Sequence, residues 1–280
     1  MRRWVAVLLL LGVTVVWGAT FPVVKTALAS ASVGVFLSLR FFLAFLFLLV
    51  ASYRRARPRW DKPALICGLL LFAGYALQTA GLTQTLPSRS AFITSLSVIV
   101  VPLLQWLVVG KVPSLRVWLA AALALLGLGL LLRPEAAPVS LGDGLTFMCA
   151  LAFAGHVLAL ETAVRRQHPS AVNTVQIGVV ALLSPAVALA TPFKLQWTAE
   201  LLVALAITGV LASALAFAAM ARVLLVLKAG ETGVILAFEP VAAAVVSVLL
   251  GYEPVTTSLL VGGLLVVSGV VLVAGSDRKS

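Results

Sequence analysis

Arg40, His156 and Glu239 each fall inside a long apolar run, where an ionisable side chain is expensive. Such a group in a hydrocarbon span marks either function or a specific partner. Glu239 lies near the middle of its run, directly before Pro240. Proline has no N–H to donate and tends to kink a helix. A carboxyl at such a kink can bind and release a proton; the plainer reading is a neutral or paired structural glutamate. Arg40 keeps its charge, so it needs a carboxylate, carbonyls or a wet cavity. It reads either as an anchor for a substrate carboxylate or as a structural cation. In the second case it would pair with Glu239 or Glu161, or snorkel to the surface. Histidine titrates near neutral pH, so His156 is a second proton-coupling candidate, with a hydrogen-bonded packing role as the alternative. Glu161 stands four residues before Arg165, and an ordinary i,i+4 pair accounts for it.

Uncharged polar residues in the apolar runs extend this set: Gln78, Thr79, Thr94, Ser97, Gln105, Asn173, Gln176 and Ser213. Thr94, Ser97 and Val101 recur at helical spacing and share a face. Serine and threonine in membrane helices also bond their own backbone, so each alone is a weak signal. Trp17 and Phe21 are four apart and share a face. They either pack on a substrate or pack helix to helix.

These side chains must be held by membrane helices. Of 280 residues, 62% are hydrophobic and 10% charged, against about 25% charged in a water-soluble domain. No polar stretch is long enough for a separate core. A spanning helix needs about 20 mostly apolar residues. Ten such runs fit, at 4–24, 33–52, 63–83, 90–109, 116–132, 143–164, 171–190, 200–221, 231–250 and 256–274. The boundary at 222–230 is the least distinct, because Arg222 and Lys228 flank the apolar stretch Val223 to Leu227. Arg2-Arg3 before an apolar run imitates a signal peptide. The run continues through Val23 and Val24 and no convincing A-x-A cleavage site follows its core, so a retained first helix is expected.

The net charge of +11 does not point to nucleic acid. The Lys and Arg residues form short clusters between apolar runs rather than one solvated face. Alternating the ten runs from an inside N-terminus places Arg2, Arg3, Arg54, Arg55, Arg57, Arg59, Lys62, Lys111, Arg116, Arg165, Arg166, Arg222, Lys228, Arg278 and Lys279 inside. Only Lys25, Arg89, Arg133 and Lys194 fall outside. That bias follows the positive-inside rule and puts both termini in the cytoplasm of a cell inner (plasma) membrane.

Two helix pairs resemble each other. Ser90 to Leu132 contains Gly110-Lys111-Val112-Pro113, and Glu231 to Val273 contains Gly251-Tyr252-Glu253-Pro254. The offset between the prolines is 254 − 113 = 141 residues, about half the chain. A repeat of five spans, an odd number, enters the membrane inverted the second time. Inverted repeats place a site near the bilayer midplane between the halves. The expected division is 1–136 and 137–280. By this register Pro240 corresponds to Ile99, whereas the first half has Pro102, so the kinks should not be mirror copies. The glycines of the last span in each half (Gly127, Gly129; Gly262, Gly263, Gly269) should allow close helix packing.

Trp17-Gly18-Ala19-Thr20-Phe21-Pro22 resembles the W-G-x-x-F/W motif on the first helix of the drug/metabolite transporter superfamily, specifically its EamA-type members. Arg40-Phe41 resembles the family's R-F pair. Ala91-Phe92-Ile93-Thr94 with Val101-Pro102 resembles its fourth helix, and Glu239-Pro240 with Gly251-Tyr252-Glu253-Pro254 its ninth and the following loop. The resemblance runs the length of the chain. It implies an all-α integral membrane protein of ten helices in two inverted five-helix repeats. It further implies secondary-active transport of small organic metabolites, amino acids among them, often outward and without ATP.

The expected substrate-binding residues are Trp17, Phe21, Arg40, Gln78, Thr94, Ser97, His156, Gln176 and Glu239, with Glu239 and His156 as the proton-coupling candidates. The sequence holds no H-E-x-x-H, no G-x-x-x-x-G-K-[ST], no G-x-S-x-G and no Cys/His metal spacing. An enzyme, a metal site and a cofactor are therefore not expected. Cys67 and Cys149 read as buried thiols. The partners expected are a small-molecule substrate and the lipid bilayer, without nucleic acid, and a monomer or homodimer fits equally. A passive uniporter of this fold and a non-transporting scaffold are the competing readings.

Overall fold

In a computed structural model the chain is described at residues 1–52, 57–82, 84–85, 87–132, 138–190, 192–249 and 254–275. The helices are α1 (Arg3–Ala27), α2 (Val33–Ser52), α3 (Lys62–Leu82), α4 (Pro87–Ser95), α5 (Ser97–Val109), α6 (Leu115–Leu132) and α7 (Leu141–Val164). They continue with α8 (Pro169–Leu189), α9 (Ala199–Leu205), a π-helical segment (Ala206–Leu215), α10 (Ala216–Val223), α11 (Ala229–Leu236), α12 (Glu239–Leu249) and α13 (Thr257–Ala274). Ten stretches among the described residues are long and apolar enough to cross a membrane, and they match the ten runs of the sequence to within a few residues. The indistinct boundary holds: α10 ends at Val223, a turn follows, and Lys228 precedes α11.

Two spans are broken. Span four is α4 and α5, joined at Leu96. Span nine is α11 and α12, joined at Ala237 and Phe238. Both joints are single tightened turns. The Leu96 N–H donates to the Ile93 carbonyl, and the Ala237 N–H to the Val234 carbonyl, each three residues back. The joints fall 237 − 96 = 141 residues apart, the offset of the repeat. The helix breaks thus share the repeat register although the prolines do not. Pro240 sits in the first turn of α12, where a missing N–H costs nothing, so the joint lies just before it. In span four no proline stands at the joint. There the Ser95 hydroxyl donates to the Ala91 carbonyl at 2.8 Å, a bond that bends helices. Pro102 lies further on, inside α5.

Backbone contact holds the last spans of the two halves together. A Cβ on Gly127 would meet the Gly262 carbonyl oxygen at 2.5 Å, and one on Gly262 the Gly127 oxygen at 2.6 Å. Gly269 is as close to Ala120, at 2.7 Å, whereas Gly129 and Gly263 make only ordinary contacts. Gly110 of the first G-x-x-P caps α5 in the left-handed conformation (φ 71°). The matching residues 251–253 lie outside the described residues.

Candidate functional site

Arg40 is 7% exposed. Its Nε donates to the Ser213 hydroxyl at 2.9 Å and its Nη2 reaches the Tyr75 hydroxyl at 3.5 Å. The guanidinium carbon lies 5.2 Å from the centroid of Phe41 and 5.3 Å from that of Tyr75. Neither Glu239 nor Glu161 pairs with it, which corrects the structural-pair expectation; Glu161 binds Arg165 at 2.8 Å instead. Burial also removes the snorkelling alternative. Among the described residues Arg40 has no carboxylate partner. A buried cation is tolerable here because polar and π groups solvate it.

The receiving hydroxyl belongs to the π segment of span eight. Three consecutive residues there take side chains from three other helices. The Ala212 carbonyl accepts Trp17 Nε1 at 2.7 Å, Ser213 accepts Arg40, and the Ala214 carbonyl accepts Asn173 Nδ2 at 2.9 Å. The π turn shifts the backbone register here: the Ala216 N–H bonds the Leu211 and Ser213 carbonyls and not that of Ala212. Short π segments recur at functional sites. From Asn173 a buried chain runs on, Gln176 Nε2 to Asn173 Oδ1 at 2.9 Å, then Gln176 Oε1 to His156 Nε2 at 2.8 Å. His156 is 2% exposed and stacks edge-on against Phe217, which also meets Trp17 at 5.1 Å. Trp17, His156 and Gln176 are thus fixed parts of one wall.

Glu239 begins α12 and is half-buried, with no hydrogen bond or ion pair to its carboxylate among the described residues. A carboxylate is favoured by the positive end of a helix. Gly18 brings the first helix against this turn: a Cβ there would meet the Ala243 nitrogen at 2.7 Å and the Glu239 carbonyl at 2.8 Å. The Trp17-Gly18 pair therefore faces two ways, the indole to the π segment and the glycine to the Glu239 turn. The Tyr75 hydroxyl lies within electrostatic reach of both Arg40 and Glu239.

Gln78 and Ser97 are half-buried and make no side-chain hydrogen bond among the described residues. Thr94 Oγ1 is buried with no nitrogen or oxygen partner, and the Cys149 thiol is the polar group beside it. These three line the broken span four and the end of α3 without joining the Arg40 cluster. Phe21 lies in α1, but its side chain is outside the described residues. Sequence reasoning missed Tyr75, whose signal is a tyrosine far from either interface, three residues before Gln78. It also missed the pivotal position of Ser213, because no local sequence feature announces the π segment.

A family model described as "EamA-like transporter family" matches the chain twice, over residues 4–133 and 140–275. An uncharacterized transporter from Archaeoglobus fulgidus is 32% identical over 263 residues, covering 94% of this chain and 83% of the relative. A solved crystal structure superposes with a TM-score of 0.84 at 17% identity, over 97% of this chain and 96% of that one. The last likeness shows the fold. The first two show the family: this chain belongs to the EamA-like transporter family.

Proposed function

From that membership we propose that the protein is a secondary-active exporter of a small organic metabolite bearing an anionic group, amino acids included. It works by alternating access of two inverted halves, residues 1–136 and 137–280, with both termini in the cytoplasm. The observation that carries the reading is the pair of unpartnered charges. Among the described residues a buried Arg40 has no carboxylate partner and a half-buried Glu239 has no cation partner, and both act electrostatically on the Tyr75 hydroxyl, which Arg40 reaches at 3.5 Å. A folded protein that moved nothing would have little reason to keep both unpaired, since each costs stability. In this reading Arg40 holds the substrate anion, Trp17 and Tyr75 supply packing, and Gln78, Thr94 and Ser97 offer hydrogen bonds. Glu239 exchanges the coupling proton at the joint of span nine, and His156 with Gln176 stiffens the wall.

The test has two stages. Purified protein is screened by thermal shift against a metabolite panel, because a ligand that binds the folded state raises its apparent stability. Counterflow of each hit is then measured in liposomes with and without a pH gradient. Gradient-driven accumulation lost in Glu239→Gln, with exchange retained, supports coupling at Glu239. Accumulation indifferent to the gradient points to a uniporter. Hits unaffected by Arg40→Ala would remove the anchor role.

A further inference from the structure

The N-terminus of α11 is capped by other helices as well as by its own side chain. The Lys228 N–H donates to Glu231 Oε2 at 2.9 Å, within the same turn. The Ala229 N–H donates to Glu161 Oε2 of α7 at 3.0 Å, and the Gly230 N–H to Gln105 Oε1 of α5 at 2.8 Å. Glu231 is in turn clamped from α1: Arg3 Nη2 donates to its Oε1 at 2.7 Å and to the Val273 carbonyl at the end of α13 at 2.8 Å. Five helices, α1, α5, α7, α11 and α13, are therefore tied at the face that carries the N-terminus. The opposite face is joined differently. There the loop after α1 meets the loop before α9 through Ser32 N–H to the Lys194 carbonyl (2.8 Å) and Gln196 N–H to the Ser30 carbonyl (2.7 Å).

α11 is the half of broken span nine between the N-terminal face and the Glu239 joint. Its first residues are fully packed, with Thr232 at 0% exposure. Helix N-termini leave their first N–H groups without intrahelical partners. Self-capping would suffice for a fixed helix. Caps supplied from α5 and α7 bind only while those helices sit where they are, so they hold in this arrangement of the helices. Gln105 and Glu161 also line a cleft of about 200 Å³ that opens on this face between α5 and α7, with Leu158, Thr162, Lys111 and Arg165.

We propose that Glu161 and Gln105 form a latch that holds α11 as a plug on the N-terminal face and releases it when that face opens. The Arg3–Glu231 clamp is the hinge side, since Glu231 caps its own helix and can travel with it. The proposal rests on the alternating-access reading, but its test needs no substrate.

Reporter cysteines Thr232→Cys, on the plug, and Ser97→Cys, beside the joint of span four, are placed singly in a background with Cys67 and Cys149 changed to alanine. Labelling rates with a charged maleimide are measured in lipid nanodiscs. The expected result is that Glu161→Ala with Gln105→Ala speeds labelling at 232 at least tenfold and slows labelling at 97. Glu161→Gln and Gln105→Glu, which keep an oxygen acceptor, stay near the rates of the parent that carries Glu161 and Gln105. Faster labelling at both positions would mean local loosening and would overturn the latch, as would no change at 232. If the rates move reciprocally while counterflow finds no substrate, the transport reading fails and the latch stands. If coupled transport is found while the rates do not move, the latch fails alone.

Discussion

The two broken spans share a geometry and differ in chemistry. Span four is interrupted by a tightened turn at Leu96 and span nine by one at Ala237 and Phe238, one repeat length apart. Beyond the first joint stand Ser97 and Val98; beyond the second stand Glu239 and Pro240. By the repeat register Glu239 corresponds to Val98, since 239 − 141 = 98. Val98 is 1% exposed inside the main apolar core, whereas Glu239 is half-buried at the start of its half-helix. Equivalent backbone joints thus present one charge, not two. The tightened turn is a property both halves keep, while the ionisable group stands in the half where that position is only half-buried.

The strongest way to break this comparison is to give span four the missing carboxylate. Val98→Glu places it in a packed position with no cation and no cavity, where an isolated charge or its neutralisation costs about 3 kcal/mol or more. The expected outcome is little or no folded protein by size-exclusion chromatography in detergent. A well-folded Val98→Glu variant that restored pH coupling to Glu239→Gln would show the halves to be chemically interchangeable.

Glu239→Gln is the converse and comes next. The carboxylate has no partner to lose, so the amide should leave the thermal midpoint unchanged or raise it. Gradient-driven accumulation should nevertheless fall at least tenfold. A midpoint lowered by many degrees would instead assign Glu239 to structure.

How much of this was legible beforehand varies by level. The ten spans were readable because a bilayer demands about 20 apolar residues regardless of packing. The unpaired state of Arg40 was not. Pairing depends on which helix faces which, and Ser213 meets Arg40 from within a π segment. The position of the joint in span four was hidden for a related reason. Pro102 is the visible helix breaker, yet α5 runs through it, and the tightened turn lies where Ser95 bonds backward. Gly18 was legible as part of a motif but not as the point where α1 touches the Glu239 turn.

The hydroxyls of span four should matter less than the charge of span nine. Thr94→Val keeps the shape and removes an oxygen that has no N or O partner, and Ser97→Ala removes one with no hydrogen bond. Leaving a polar group unpaired already costs the fold something. Each change should alter stability by less than about 1 kcal/mol, with initial rates of exchange falling by less than about threefold. A tenfold loss in either would move the substrate site toward α4 and equalise the two joints.

The smallest effect belongs to the Ser95 hydroxyl beside the span-four joint. Ser95→Ala removes the hydroxyl that bonds the Ala91 carbonyl, while the tightened turn from Leu96 to Ile93 remains. Alanine is the better helix former by roughly 0.5 kcal/mol, so the midpoint should rise slightly or stay level. If the back-bond maintains the joint, span four straightens and Ser97→Cys labels more slowly in this variant. Unchanged labelling would mean that packing around the joint holds it alone. The two spans would then share even the origin of their geometry, because Pro240 too follows its joint.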